Sequence, residues 1–509
     1  MRNMPVGVLA LFLIAPSSPM VGGGLDTARL DRYVRQAVHD YSVSGLAIGI
    51  VNDSSVIFQK GYGNVGSPRS EPVTATTLFP IGSCTKAFTC ACLGILVDQH
   101  KIDWDDKVIK YLPGFGLSDP YVTSHLTIRD ILSHRTGLGE STGDVLLFGT
   151  SDSRDELIGK IPQLPLKSGF RESYGYNNLM YLVAGRIIEA VTGETWEKFI
   201  EVNIFRRAGL QNTTTDLTIP VETAHLAFPH NEQGKLSEYW NVFNPHVGPA
   251  GSIISNIQDM NKWLQLLLHQ GSLGGKRVLS QRTTEEIMNP QIIVPVSPYW
   301  KDNGVHLQAY GLGWKLFDYG GRLIVEHTGG GAGFVCEMVL IPEEKIGFVV
   351  LTNQMTWLAS VVAYYVTDRI LERPERDWSK EMLMYYRDEL ANKKQRLAAV
   401  LGGRRISVLP TEDLTKYVGT FRDPIYGEAE IALKDSALFF RLVPAPRLFD
   451  CTLEPWDDQK FKAEFPLCIA LDFPLAFLAF DVDSQGKVEG FKISLLDDNM
   501  FTDYYFKKR

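Results

Sequence analysis

Apolar positions along this chain follow two periods, and the switch between them outlines its organisation. Leu30, Tyr33, Val34, Ala37 and Val38 recur at three- and four-residue steps, which predicts an amphipathic helix near the start. Two apolar, β-branched runs follow, Leu46–Val51 and Val56–Lys60, separated by the turn signal Asn52-Asp53. Three further strand-like runs, Leu323–His327, Val335–Ile341 and Ile346–Thr352, stand far downstream, with Pro342-Glu343-Glu344 as the last turn. A helix then returns, its apolar face made by Leu358, Val361, Val362, Tyr365 and Ile370. The stretch from Lys86 to Asp318 reads as mostly helical. Strands grouped at both ends with helices between them predict an α+β fold. Its antiparallel sheet is built from the two ends, flanked by helices, and joined to a mainly helical subdomain.

Beyond that unit the pattern changes twice. Arg376 to Arg405 is charged and helical and reads as a linker. From about Leu409, short alternating segments separated by turn residues take over, among them Glu428–Leu433, Ala437–Leu442 and Lys460–Phe465. They predict a small all-β barrel. The expected divisions are 25–375 for the first domain, 376–408 for the helical linker and 409–509 for the barrel.

A length of 509 residues fits this multi-domain reading. With 45% apolar and 22% charged residues the composition is globular. A formal net charge of −8, with no Lys/Arg-rich run, argues against a nucleic-acid partner. Residues 1–24 carry Arg2, an apolar run from Val6 to Ala15 and the small trio Gly22-Gly23-Gly24. That is the order of a secretory signal and predicts a secreted protein, the alternative being a cytoplasmic one. No other segment has the length and apolarity to span a bilayer. The sequons at Asn52 and Asn212 are compatible with secretion.

Of the six cysteines, Cys84, Cys90 and Cys92 fall on one apolar helix and read as core thiols, whereas Cys451 and Cys468 flank a hairpin and could pair. Neither H-E-x-x-H nor paired C-x-x-C occurs, so neither a metal nor another cofactor is expected. Without a G-x-S-x-G, a nucleophile elbow is excluded. The Gly-rich Thr328–Phe334 lacks the last glycine of a dinucleotide loop.

Three short motifs carry the candidate chemistry. Ser83-Cys84-Thr85-Lys86 opens a strongly apolar helix. Three residues apart is the same helix face, so the lysine amine can reach the serine hydroxyl. The helix N-terminus favours a developing anion. Burial of Lys86 would favour its neutral, proton-accepting form. The same S-x-x-K occurs at Ser484-Gln485-Gly486-Lys487, in a segment that reads as a hairpin turn and carries no chemistry. Tyr176-Asn177-Asn178 offers a phenol to relay a proton and an amide, Asn178, to orient lysine and substrate. His327-Thr328-Gly329-Gly330 ends a strand, where glycines admit a substrate backbone and leave an amide N–H free for an oxyanion.

In this order, S-x-x-K, Y-x-N and H-T-G resemble the class C β-lactamase, D-aminopeptidase and family VIII esterase branch of the serine β-lactamase-like superfamily, related to the S-x-x-K, S-D-N and K-T-G set of other penicillin-recognising enzymes. The segments Leu126–Gly137, Pro249–Ser252 and Tyr310–Trp314 fit as well. The resemblance spans most of Leu25 to Glu372 and implies a β-lactamase/transpeptidase-like fold. It implies Ser83 as nucleophile, Lys86 as adjacent base and Tyr176 as proton relay. It also implies an oxyanion hole from the N–H groups of Ser83 and Gly330, and substrate contacts from Asn178, His327 and Thr328. His134 and Arg135 would fix a turn. The last domain resembles the lipocalin-like barrel often fused to such hydrolases, where it can shape the active-site mouth.

One departure bears on substrate. His327 stands where penicillin-processing members carry a lysine, which removes a fixed positive charge and turns the expectation from carboxylate-bearing β-lactams toward small esters or amides. The expected activity is therefore metal-free serine hydrolysis through an acyl-Ser83 intermediate. Alternatives on the same fold are a transesterase or acyltransferase, a D-aminopeptidase or a β-lactamase, and a non-catalytic scaffold or matrix protein. Neither the substrate nor the oligomeric state is readable from the chain.

Overall fold

The computed structural model describes residues 25–66, 69–218, 225–237, 247–403, 413–446, 448–457, 459–465, 475–495 and 504–509. The predicted signal at 1–24 and Cys468 of the possible Cys451–Cys468 pairing lie outside the described residues.

An eight-stranded antiparallel sheet organises the first unit. Its strands are β1 (Gly45–Asn52), β2 (Val56–Gly63), β3 (Ile292–Ile293), β4 (Gln308–Tyr310), β5 (Lys315–Tyr319), β6 (Arg322–Gly331), β7 (Phe334–Ile341) and β8 (Ile346–Thr352). Their spatial order is β2-β1-β8-β7-β6-β5-β4-β3, so the two ends of the unit meet where β1 pairs with β8, Leu46 opposite Thr352. Side chains alternate across the sheet. Leu46, Ile48 and Ile50 of β1 join the core beneath helices α1 (Thr27–Asp40) and α5 (Leu358–Ile370). Ala47 and Val51 join the larger core on the opposite face, with α2 (Thr85–Asp98), α3 (Leu179–Thr192) and α4 (Ile257–Leu268).

Every residue of α2 from Thr85 to Leu96 is buried, which is why its sequence is apolar all round rather than on one stripe. Two expectations need correction. The region up to Asp318 is not helical to its end, because β3, β4 and most of β5 extend the sheet there. The strand-like run Leu323–His327 is also too short, because the His327–Gly330 motif that ends it is itself strand. β6 runs on to Gly331 and pairs with β7 along that whole length, whereas its pairing with β5 stops at Glu326. Residues 327–331 therefore form an edge of β6 left unpaired on the β5 side.

The linker segment is helical, α6 (Trp378–Gly402), but its first turns are part of the core. Trp378 is buried against Trp300 and Tyr364 and donates its indole N–H to Asp368 at 2.7 Å. The barrel comprises β9 (Gly419–Asp423), β10 (Gly427–Lys434), β11 (Ala437–Leu442), β12 (Cys451–Asp457), β13 (Lys460–Glu464), β14 (Leu475–Val482), β15 (Val488–Leu495) and β16 (Tyr504–Lys508). Each strand pairs antiparallel with the next, and β9 with β16 closes the ring. Phe421, Phe440, Phe461, Phe480, Phe491 and Phe506 fill the interior.

Candidate active site

The nucleophile candidate sits where a short 3-10 turn, Gly82–Cys84, leads into α2. Amides in the first turn of a helix have no intrahelical acceptor, which leaves the Ser83 N–H available. The turn is pressed onto β6 so closely that only glycines fit. A Cβ on Gly329 would collide with the Ile81 carbonyl, and one on Gly82 (φ +51°) would stand 2.9 Å from the Gly330 nitrogen. Backbone contact thus brings the Ser83 and Gly330 amides side by side, next to the open edge of β6. Thr328 and Gly330 are exposed along that edge and Ser83 is half-buried, so all three are reachable from solvent.

Lys86 is fully buried, and its amine has three partners: Ser83 Oγ at 3.0 Å, Asn178 Oδ1 at 2.6 Å and the Ala250 carbonyl at 2.9 Å. Loss of hydration lowers its pKa to about 7, against the pull of Asp144 in the other direction. A neutral amine has two N–H groups and one lone pair. Two of its partners can only accept, and the third is a hydroxyl that can donate. The hydrogens therefore go to Asn178 and Ala250, and the lone pair faces Ser83.

Tyr176 stands on the other side of the serine. Its ring lies 4.8 Å from the Lys86 amine, and burial holds its pKa well above the usual range. The tyrosine is set by His134, which has a left-handed backbone (φ +59°) and accepts the Asn177 N–H at Nδ1, 3.1 Å away. Arg135 is bound at 2.6 Å to buried Asp130, as a turn-fixing residue would be.

His327 is buried with both ring nitrogens engaged. Nδ1 meets the Thr328 carbonyl at 2.6 Å and Nε2 meets the Tyr310 hydroxyl at 2.9 Å. A carbonyl can only accept, so the proton is on Nδ1, and Nε2 accepts from the tyrosine. Burial and the neighbouring Lys86 push the imidazole pKa down to about 3. The ring is neutral and both nitrogens are engaged, so the substrate contact that the resemblance implies for His327 has no free nitrogen to use. Thr328 beside it is the exposed residue.

Three participants were not singled out by sequence reasoning. Ala250 contributes only its carbonyl, from a short helix at Gly248–Gly251 tied to α2 by Thr89 Oγ1 donating to the Pro249 carbonyl at 2.7 Å. Tyr310 belongs to the Tyr310–Trp314 segment, whose left-handed Gly313 packs on the Lys86 carbonyl. Asp144 accepts from Asn178 Nδ2 at 2.7 Å. It lies in a Gly/Ser/Thr-rich loop at no motif spacing. Among the described residues, no cluster of His, Cys, Asp and Glu is arranged to hold a metal ion, and no helix is long and apolar enough to cross a membrane.

Sheet, helical subdomain and this constellation together define a penicillin-binding-protein-like hydrolase fold. The family model described as Beta-lactamase matches residues 30–370, and the chain belongs to that family. A second model, described as a domain of unknown function, matches residues 405–508. An unguisins hydrolase of Aspergillus campestris is 31% identical over 422 residues, covering 78% of this chain and 76% of the relative. Penicillin-binding protein 4 of Amycolatopsis lactamdurans is 25% identical, over 62% of this chain and 82% of its own. Among solved structures, the octameric penicillin-binding protein homologue from Pyrococcus abyssi superposes with a TM-score of 0.60 at 20% identity, covering 95% of this chain and all of that one.

Proposed function

We propose that the protein hydrolyses a small neutral ester or amide through a covalent acyl-Ser83 intermediate. The observation that carries this is the buried Lys86 amine, which lies 3.0 Å from Ser83 Oγ and is held by two pure acceptors, Asn178 Oδ1 and the Ala250 carbonyl, so that its neutral form turns its lone pair to the serine. In the forward step Oγ bonds to the substrate carbonyl carbon while its proton passes to Lys86. The carbonyl oxygen, now an anion, is met by the N–H groups of Ser83 and Gly330. Collapse breaks the bond to the leaving alcohol or amine, which takes a proton from the Tyr176 phenol, itself reprotonated from Lys86. Water then attacks the ester in the reverse sense, releasing the acid and restoring the serine.

Preference for neutral substrates follows from His327, which offers no charge to a carboxylate. Substrate contact is then assigned to Thr328 and to Asn178. The hydrolase name of the Aspergillus relative supports water as the acyl acceptor over an alcohol or amine. Incubation with a fluorophosphonate probe followed by peptide mass spectrometry tests the reading. Expected is one added mass on the peptide containing Ser83, together with faster turnover of p-nitrophenyl butyrate than of nitrocefin. A label on Cys84 or Ser484 would refute the nucleophile. Faster nitrocefin turnover would refute the substrate class.

A further inference from the structure

We propose that Asp144 is a positioning residue for the Ser83–Lys86 pair, and that the C-terminal barrel holds it in place by seating the neighbouring Val145. The inference rests on the acyl-Ser83 reading above.

The route begins at the amide of Asn178. Its Oδ1 accepts from Lys86 at 2.6 Å, and its Nδ2 donates to Asp144 Oδ2 at 2.7 Å. An amide can be turned over at little cost unless its neighbours distinguish oxygen from nitrogen. Asp144 Oδ2 accepts that Nδ2 hydrogen, which holds Nδ2 toward the carboxyl and Oδ1 toward the lysine. That orientation leaves the lysine lone pair for Ser83.

Asp144 also pulls on the lysine electrostatically, against the effect of burial. The other titratable groups around Lys86 are Cys84 and Cys90 on the nucleophile segment, Tyr176 and Tyr181, His134, Tyr310 and His327. Burial raises the thiols and phenols and lowers both imidazoles, so each is neutral near pH 7. The Asp144 carboxyl is itself pushed up by burial, with Asn178 and Lys86 drawing it back down.

What holds Asp144 there comes from two sides. On one, Ser141 N–H donates to the Tyr176 carbonyl at 2.7 Å and Asn177 Nδ2 to the Thr142 carbonyl at 2.8 Å. These bonds fix the approach to a 3-10 turn, Asp144–Leu147. On the other side the turn meets the barrel. Val145 is one wall of a small apolar cavity of about 30 Å³, whose remaining lining is barrel residues including Phe440, Leu442 and Phe449. A few residues on, the Ser151 N–H and hydroxyl both bond the Pro444 carbonyl in the turn after β11, at 2.6 and 3.1 Å. The residue that orients the catalytic amide and the residue that lines the barrel's apolar cavity are adjacent in one turn of backbone. A shift of the barrel is therefore a shift of Asp144.

The test compares the full-length wild type with Asp144→Asn, Val145→Ala, Leu442→Ala and the Val145→Ala/Leu442→Ala double variant. For each, the rate of fluorophosphonate labelling is measured from pH 5 to 9, alongside thermal unfolding. In the wild type the rate should rise with pH through about 7 as Lys86 loses its proton. Asp144→Asn should label at least tenfold more slowly at pH 8. Its acid limb should move to lower pH by about one unit, because removing a negative charge makes the lysine easier to deprotonate. Val145→Ala and Leu442→Ala should each slow labelling several-fold and move the limb the same way, and the double variant should do little more than the worse single one.

A slower Asp144→Asn with an unmoved limb would reduce the residue to a structural part and overturn the proposal. Val145→Ala and Leu442→Ala at the wild-type rate would remove the barrel from it. Wild-type labelling away from Ser83 would instead strike the acyl-enzyme reading, and this inference with it.

Discussion

Two segments of this chain spell S-x-x-K, and the structure treats them in opposite ways. Ser83 and Lys86 open a helix whose every side is covered, and the amine is enclosed by three partners. Ser484 and Lys487 occupy the turn between β14 and β15 and are exposed. There the Asp483 side chain accepts the N–H groups of Gln485 and Lys487, as a turn requires. A lysine in water keeps its proton, whereas one stripped of hydration gives it up, so the motif becomes chemistry only through burial.

The largest test of that contrast is at the serines. Ser83→Ala should abolish probe labelling and reduce ester turnover by about 10⁴-fold or more, whereas Ser484→Ala should match the wild type in both. Next come the proton carriers. Lys86→Ala and Tyr176→Phe should each lower kcat by about 10³-fold, with the double variant losing little more, because the groups act as one unit. Lys487→Ala should leave kcat unchanged. Multiplying losses in the double variant would separate Tyr176 from the lysine pathway.

The glycines sharpen the contrast at smaller scale. Gly329→Ala forces the Gly82–Cys84 turn off β6 and should lower kcat by about 10²-fold, the size of a spoiled oxyanion donor. Gly486→Ala has φ +81° but open space around it, so it should cost about 1 kcal/mol in stability with kcat untouched. The smallest effect is thermal. Between about pH 7 and its ordinary value of 10.5, Lys86 is neutral when folded and protonated when unfolded. The unfolded chain then binds the extra proton, so this residue's contribution to stability rises with pH across that window. Lys86→Met removes the dependence. Its Tm should exceed that of the wild type by a few degrees at about pH 7, and the gap should close toward about pH 9.5. A gap that does not change with pH would mean that the buried amine is charged.

Legibility followed the same division. The Ser83–Lys86 spacing was readable because helix geometry turns a three-residue interval into contact. Tyr176, Asn178 and His327 carried no such geometry and stood out only as a set. The Ala250 carbonyl could not be read at all, since a main-chain acceptor has no residue type. Asp144 is one aspartate in a polar loop and gains meaning only from what the fold puts on either side. Strands β1, β2 and β6 to β8 were legible from their apolar runs. Strands β3 and β4 were not, being two and three residues long, and in β5 Lys315 and Asp318 interrupt the pattern.

The pairing of β1 with β8 has a consequence for the order in which the molecule can be made. Leu46 waits for Thr352, and the Cys84 thiol waits for the His327 carbonyl, 243 residues downstream. A ribosome adding about 5–20 residues per second releases the serine-bearing helix many seconds before the strand it rests on. During that interval the buried face of α2, apolar on every side, has no sheet to cover it. Such long-range closure makes for slow folding and a need for shielding from other chains. A nascent chain that stops short of β8 should therefore hold the complete S-x-x-K sequence and yet acylate nothing.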